Sequence, residues 1–155
     1  MWGPPENKDP ILVHHPTRRR VGYFGAVRLR DGRFVFHRAT EHFNAVSFFE
    51  CMKRFARASR RPNRRIVVVT DHATYHHATL HKPWRETQAP QVALDFLPPD
   101  SPELNPIARV WKLTRRRCVH NRSFPTIDEV VDAVEAAFTL WARGNDTLRR
   151  LCAIT

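Results

Sequence analysis

Apolar and polar positions along this chain switch between a period of two and a period near 3.6, and each switch marks an element. From Tyr23 to Leu29 and from Arg33 to Arg38, β-branched and aromatic residues predict two strands. Asp31 and Gly32 between them are a hairpin signal. A helix is predicted from about Glu41 to Arg57, with Thr40 as its N-cap and Phe43, Val46, Phe49, Met52 and Phe55 along one side. Ile66 to Val69 are four consecutive β-branched residues, so Arg65 to Thr70 predicts a strand buried on both faces. A short helix from about His76 to Lys82, ending before Pro83, and a strand from Val92 to Leu97 follow. A last helix is capped by Thr126 and Glu129 and carries Ile127, Val130, Val131, Val134, Phe138 and Trp141 as its stripe before Gly144. Hairpin, helix, strand, helix, strand, helix is an α/β order with a mixed sheet.

Length and composition add limits. At 155 residues the chain builds one ordinary core. It shows neither an apolar run long enough to span a bilayer nor a signal-peptide pattern, which predicts a cytoplasmic protein with no membrane partner. Cys51, Cys118 and Cys152 are odd in number and lack zinc-site spacing, so they read as small buried apolar residues or free thiols. The net charge of +11, carried by 22 Arg and 4 Lys, makes nucleic acid the expected partner. Basic residues cluster at Arg18, Arg19 and Arg20, from Lys53 through Arg54, Arg57, Arg60, Arg61, Arg64 and Arg65, and at Arg115, Arg116 and Arg117. A solvated arginine-rich surface is the plainer explanation, but three separate clusters exceed what solubility requires. Few aromatics interleave with them, so backbone contact to duplex DNA is expected rather than base reading.

The most informative segment runs from Phe96 to Lys112 and reads FLPPDSPELNPIARVWK. Pro98, Pro99, Pro102 and Pro106 restrict its backbone, and Asn105 before Pro106 predicts a helix start with the asparagine as N-cap. The helix should turn Ile107, Val110, Trp111 and Leu113 inward and Arg109, Lys112, Arg115 and Arg116 outward. Composition alone would make this a proline-rich connector, but the order of its residues points further. The segment resembles the LPPYSPDLNPIE signature of the DDE transposases of the mariner superfamily and related bacterial insertion sequences. Leu97, Pro98, Pro99, Ser101, Pro102, Leu104, Asn105, Pro106, Ile107 and Trp111 fall in register, and Glu103 replaces an aspartate. Where the family carries its third metal-binding acid, this chain has Ala108.

The resemblance implies an RNase H-like (ribonuclease H-like) fold, a mixed sheet flanked by helices, here lacking its first central strand. It assigns residues 21–143 to an incomplete transposase domain, 1–20 to an amino-terminal remnant and 144–155 to a tail. Asp71 follows IVVVT at a strand's carboxyl end, where open α/β sheets place ligands, although an aspartate there is as often a turn former. The resemblance favours the first reading, since VVVTDHATYH is similar to the family's strand, aspartate and, five positions on, histidine. Asp71 and His76 take those places, with His72 in place of an asparagine. Asp71 and Ala108 are 37 positions apart, matching the family's gap in the thirties between its second and third acids. Asp71 is thus the implied catalytic and metal-binding residue. Trp2 and Gly3 match a pair that follows the family's first acid, and neither Asp9 nor Asp31 replaces that acid.

In such enzymes three carboxylates hold two Mg²⁺ or Mn²⁺ ions for in-line phosphoryl transfer. Ala108 donates no ligand, and Glu103 precedes the helix, so rescue from there needs a rearranged loop. Without a central strand two sheet edges stay open, with Ile11 to His14 a partial filler, and marginal stability or aggregation is expected. The leading expectation is a degenerate or split transposase catalytic domain, inactive alone and nucleoid-associated. Transposon ends and target DNA are the implied partners, with a homo-oligomer or an intact transposase besides. The alternative is a non-catalytic DNA-binding fragment that modulates an intact transposase. A third reading, a metal-binding protein, rests on the i, i+4 pairs His72 with His76 and His77 with His81.

Overall fold

The computed structural model describes residues 11–14, 19–39, 43–73 and 78–153. Expectations resting on Trp2, Gly3, Asp9, Arg18, Thr40, His76 and His77 lie outside the described residues. The chain forms two compact units, one from the segments before residue 42 and after residue 105, the other from residues 42–105.

The first unit opens with an antiparallel sheet of β1 (Ile11–His14), β2 (Arg19–Val27) and β3 (Phe34–Ala39), with β2 in the middle. Ile11 lies opposite Gly22 on one side of β2, and Phe24 lies opposite His37 on the other. The expected hairpin is present: Arg28 N–H donates to Arg33 O at 2.8 Å, and Gly32 N–H to Arg28 O at 2.8 Å. Gly32 sits at φ +73, where a side chain would be strained.

Among the described residues this unit also holds four helical segments. They are α3 (Ile107–Thr114), a π-helical turn at Arg115–Val119, α4 (Ile127–Trp141) and α5 (Asp146–Leu151). The predicted stripe of α4 is buried at every position, and Thr126 Oγ1 accepts from Glu129 N–H at 3.3 Å as its cap. Packing centres on Phe34, fully buried, whose ring meets Trp111 edge-on at 5.7 Å and lies 5.0 Å from Phe138. Residues 144–155, expected as a tail, include α5; its Leu148, and Cys152 just beyond it, are fully buried in the same core. No apolar stripe predicted a helix of six residues. Its signal is the cap, because Asn145 Oδ1 accepts from Leu148 N–H at 2.7 Å.

In the second unit, α1 (Ala45–Ser59) starts later than expected. Asn44 forms a capping box with Ser47, at 3.0 Å in each direction, so the helix begins there. The stripe also differs: Phe48, Cys51, Met52, Phe55 and Ala56 are buried, whereas Val46 is 62% exposed, because positions three apart drift by about 60° per step around a helix. Two strands, β4 (Ile66–Thr70) and β5 (Val92–Phe96), pair in parallel from Ile66 opposite Val92 to Thr70 opposite Phe96. Among the described residues two separate sheets therefore stand where one mixed sheet was expected. Nor is β4 buried on both faces, since Val67 and Val69 are 55% and 51% exposed. A β-branched run reports strand propensity on either face and does not say what covers them. Pro83 starts a helix rather than following one: Thr79–His81 is a 3₁₀ turn leading into α2 (Lys82–Gln88), where proline's missing N–H costs nothing in the first turn.

Candidate functional site

Parallel pairing of β4 and β5 brings Asp71 and the proline-rich segment to one end of the smaller sheet. Leu97 N–H donates to Thr70 O at 2.8 Å, extending the ladder one step past β5. Asp71 follows immediately, 8% exposed, and its Oδ1 accepts from Ala73 N–H at 3.0 Å. That bond closes a local turn, so turn former and strand-end carboxylate are combined in one residue. His72 stacks on Phe96 with ring centroids 5.2 Å apart, and its Nε2 lies 2.7 Å from Leu97 O. These contacts hold the chain after Asp71 against the chain leaving β5.

Past Leu97 the backbone turns sharply. Asp100 takes φ 54, Ser101 Oγ donates to Pro99 O at 3.2 Å, and Pro102–Leu104 is one 3₁₀ turn. Glu103 is exposed on that turn. The expected cap is shifted: Pro106 rather than Asn105 occupies the N-cap position of α3, with no side-chain cap bond, and Arg109 N–H reaches Pro106 O at 3.0 Å. A 3₁₀-like first turn of this kind takes up an orphan donor without a side-chain oxygen. Val110, Trp111 and Leu113 are buried as expected, while Ala108, second in α3, is half-buried. The units divide between Asn105 and Pro106, which puts Asp71, Asp100 and Glu103 in one and Ala108 in the other.

Two divalent ions need carboxylates from several positions. Asp71 contributes one, already accepting a backbone hydrogen bond, and Ala108 contributes a methyl group. Among the described residues no three His, Cys, Asp or Glu side chains are grouped to hold an ion. This donor set does not fit a metal pair. The described histidines do not make a helical site either. His72 lies outside any helix, and His81 is 1% exposed with its ring 5.3 Å from that of Phe48.

The basic residues divide between the units. Arg19 and Arg20 are exposed where β2 begins. Arg116 and Arg117 are exposed on the π-helical turn, but Arg115 is half-buried and its burial pushes the guanidinium pKa below its usual value. Arg109 is exposed as expected, yet its Nη1 donates to Leu151 O at 3.0 Å and Ala153 O at 3.2 Å, fastening α3 to the end of α5. In the other unit Arg54, Arg57, Arg60, Arg61, Arg64 and Arg65 are all exposed. Lys53 is engaged locally, 2.6 Å from Glu50 and 4.5 Å from the Phe49 ring centre.

The cysteines are all buried free thiols, with burial pushing Cys152 up to about 11 and Cys118 upward too. No helix among the described residues is long and apolar enough to cross a membrane.

A family model described as "DDE superfamily endonuclease" matches residues 1–131. A protein of Sinorhizobium fredii (strain NBRC 101917 / NGR234), named "Uncharacterized protein y4pE/y4sA", is 45% identical over 47 residues. That similarity covers 30% of this chain and 35% of that protein.

Proposed function

Since the chain belongs to the DDE superfamily of endonucleases, matched over residues 1–131, we propose that it is a degenerate or split transposase catalytic domain that cleaves no DNA on its own. One observation carries this reading: LPPDSPELNPIARVW keeps the motif and places Ala108 at its acid position. Endonucleases of this family use divalent metals. Asp71 is the inherited catalytic and metal-binding position here, and it stands without the third acid, whose place Ala108 takes. Exposed Glu103, in the same unit as Asp71, is the nearest substitute along the chain, and its place on a 3₁₀ turn before α3 speaks against a rescue from the helix. Incubation of the purified chain with supercoiled plasmid and Mn²⁺ should leave the plasmid uncut. Nicking that Asp71→Asn abolishes would sink the reading.

The second reading is a non-catalytic DNA-binding fragment that competes with or joins an intact transposase. The net charge of +11 and the exposure of Arg19, Arg20, Arg116 and Arg117 support it. Transposon ends, target DNA and a second copy or an intact transposase are the partners it proposes, with the nucleoid as the place. Filter binding of duplex across a salt series separates the two. Steeply salt-dependent retention without nicking favours the binding fragment, and no retention at low salt removes it.

A further inference from the structure

We propose that the arginine-lined cavity at the amino-terminal ends of β4 and β5 is a second nucleic-acid contact, built to take backbone phosphates of duplex DNA. The inference rests on the DNA-binding reading and assigns it a site outside Asp71 and the two arginine clusters of the larger unit.

Residues Arg60 to Arg65 read RRPNRR, two arginines on each side of a turn. Pro62 sets φ at the first corner and Asn63 takes φ 59 at the second, the arrangement of a type II turn. The turn sets Arg61 and Arg64 opposite each other as an isolated antiparallel bridge. Residues so paired have Cβ atoms about 5 Å apart, and like charges there repel. An anion seated between them is attracted by both.

The turn helps to line a cavity of about 520 Å³, together with Arg60, Arg61, Arg64, Arg65, Pro90 and Gln91. Backbone hydrogen bonds fix two of its lining residues: Ile66 N–H donates to Gln91 O at 2.7 Å, and Gln91 N–H to Gln88 O at 2.8 Å. Arg60 Nη2 donates to Gln88 Oε1 at 3.1 Å, which steadies one guanidinium at the rim. Four of the residues that line the cavity are arginines, and none of the lining residues is acidic. A surface charged only for solubility has no reason to gather one sign around a concavity. None of its lining residues is aromatic, so it lacks the ring platforms on which single strands stack, and the repeating phosphates of a duplex are the anion that suits it.

The cavity is at the end of the smaller sheet opposite Asp71. The five residues of β4 separate the two along the strand, a span of about 16 Å. DNA held there is held apart from the Asp71 end of the sheet.

The test is duplex binding across a salt series with the full chain, Arg61→Ala/Arg64→Ala, and a control double variant in the other unit, Arg143→Ala/Arg150→Ala. Each variant removes two charges. The proposal expects the cavity variant to lower the slope of log K against log salt by about 1 to 2 and to weaken binding roughly tenfold or more near 0.1 M salt, with the control changed much less. Arg61→Lys/Arg64→Lys retains charge and the turn but not the planar forks, and it should recover only part of the loss; it also serves if the alanine variant does not fold. If the unmodified chain binds with a steep salt slope and neither cavity variant differs from the control, the cavity is excluded and the DNA reading survives. If the unmodified chain fails to bind duplex at low salt, both fall.

Discussion

Gly25 in β2 has no room for a methyl group. A Cβ there would overlap Trp111 Cη2 and come within 2.8 Å of Phe34 Cζ, both buried rings of the larger core. Gly25→Ala should therefore destabilise by about 1–3 kcal/mol in urea unfolding, the usual cost of overpacking. Gly144→Ala, whose nearest neighbour would be 3.5 Å away, should be close to neutral. Tyr23 is the second sensitive residue. Fully buried, it donates its hydroxyl to Glu135 Oε1 at 3.1 Å, and Arg38 grips the same carboxylate through Nε at 2.6 Å and Nη2 at 2.7 Å. Burial first, and then the negative charge of Glu135, push the phenol pKa well above its ordinary value. The unfolded chain releases that proton near pH 10 while the folded chain keeps it, so this stability is present below pH 10 and lost above it. Tyr23→Phe should flatten the alkaline limb of the stability profile, read as unfolding midpoint against pH. The acid limb has its own contributor. The Arg28 hydrogen bond holds Asp31 at about 2, so its stability is present above about pH 4 and lost as pH falls toward 2.

At the scale of elements, α5 depends on its cap more than on its length. Six residues do not sustain a helix alone. Asn145 satisfies Leu148 N–H and also donates from Nδ2 to Gly32 O at 2.9 Å, linking the helix to the β2–β3 hairpin. Asn145→Ala should cost about 1–2 kcal/mol and loosen the packing of Leu148 and Cys152, seen as faster reaction of the Cys152 thiol with a thiol reagent. Strand β4 poses a different problem. Its Val67 and Val69 face outward, and strand formers exposed in this way invite self-association. Val67→Lys/Val69→Lys should raise the monomeric fraction in sedimentation while shifting the unfolding midpoint little, because neither side chain is buried. Unchanged association would point to another surface.

Across the whole molecule, a net charge of +11 acts on stability and binding in opposite senses. Self-repulsion opposes the compact state, and screening relieves it, so moderate salt should raise the thermal midpoint. The same salt displaces the chain from duplex DNA. A midpoint that falls with added salt would show that local pairs such as Arg38 with Glu135, rather than net charge, dominate the electrostatics. Two compact units, each with its own buried side chains, also mean that core substitutions in α1 and in α4 report on different parts of the molecule.

The local features were legible because they are local. The hairpin at Gly32, the stripe of α4, the strands around Val68 and Leu94 and the LPPDSPELNPIARVW motif each rest on residues a few positions apart, where backbone preference and side-chain period speak directly. Ancestry was legible for the same reason, and so was the alanine at position 108. Tertiary structure decided the rest. It determined that β4 pairs with β5 in a sheet of its own with one face open, that α1 starts at an asparagine capping box, and that Leu148 and Cys152 join the larger core. It also gathered Arg60, Arg61, Arg64 and Arg65 around one cavity and kept Arg115 half-buried. Burial and pairing depend on what the rest of the chain brings near, and sequence period alone does not specify that.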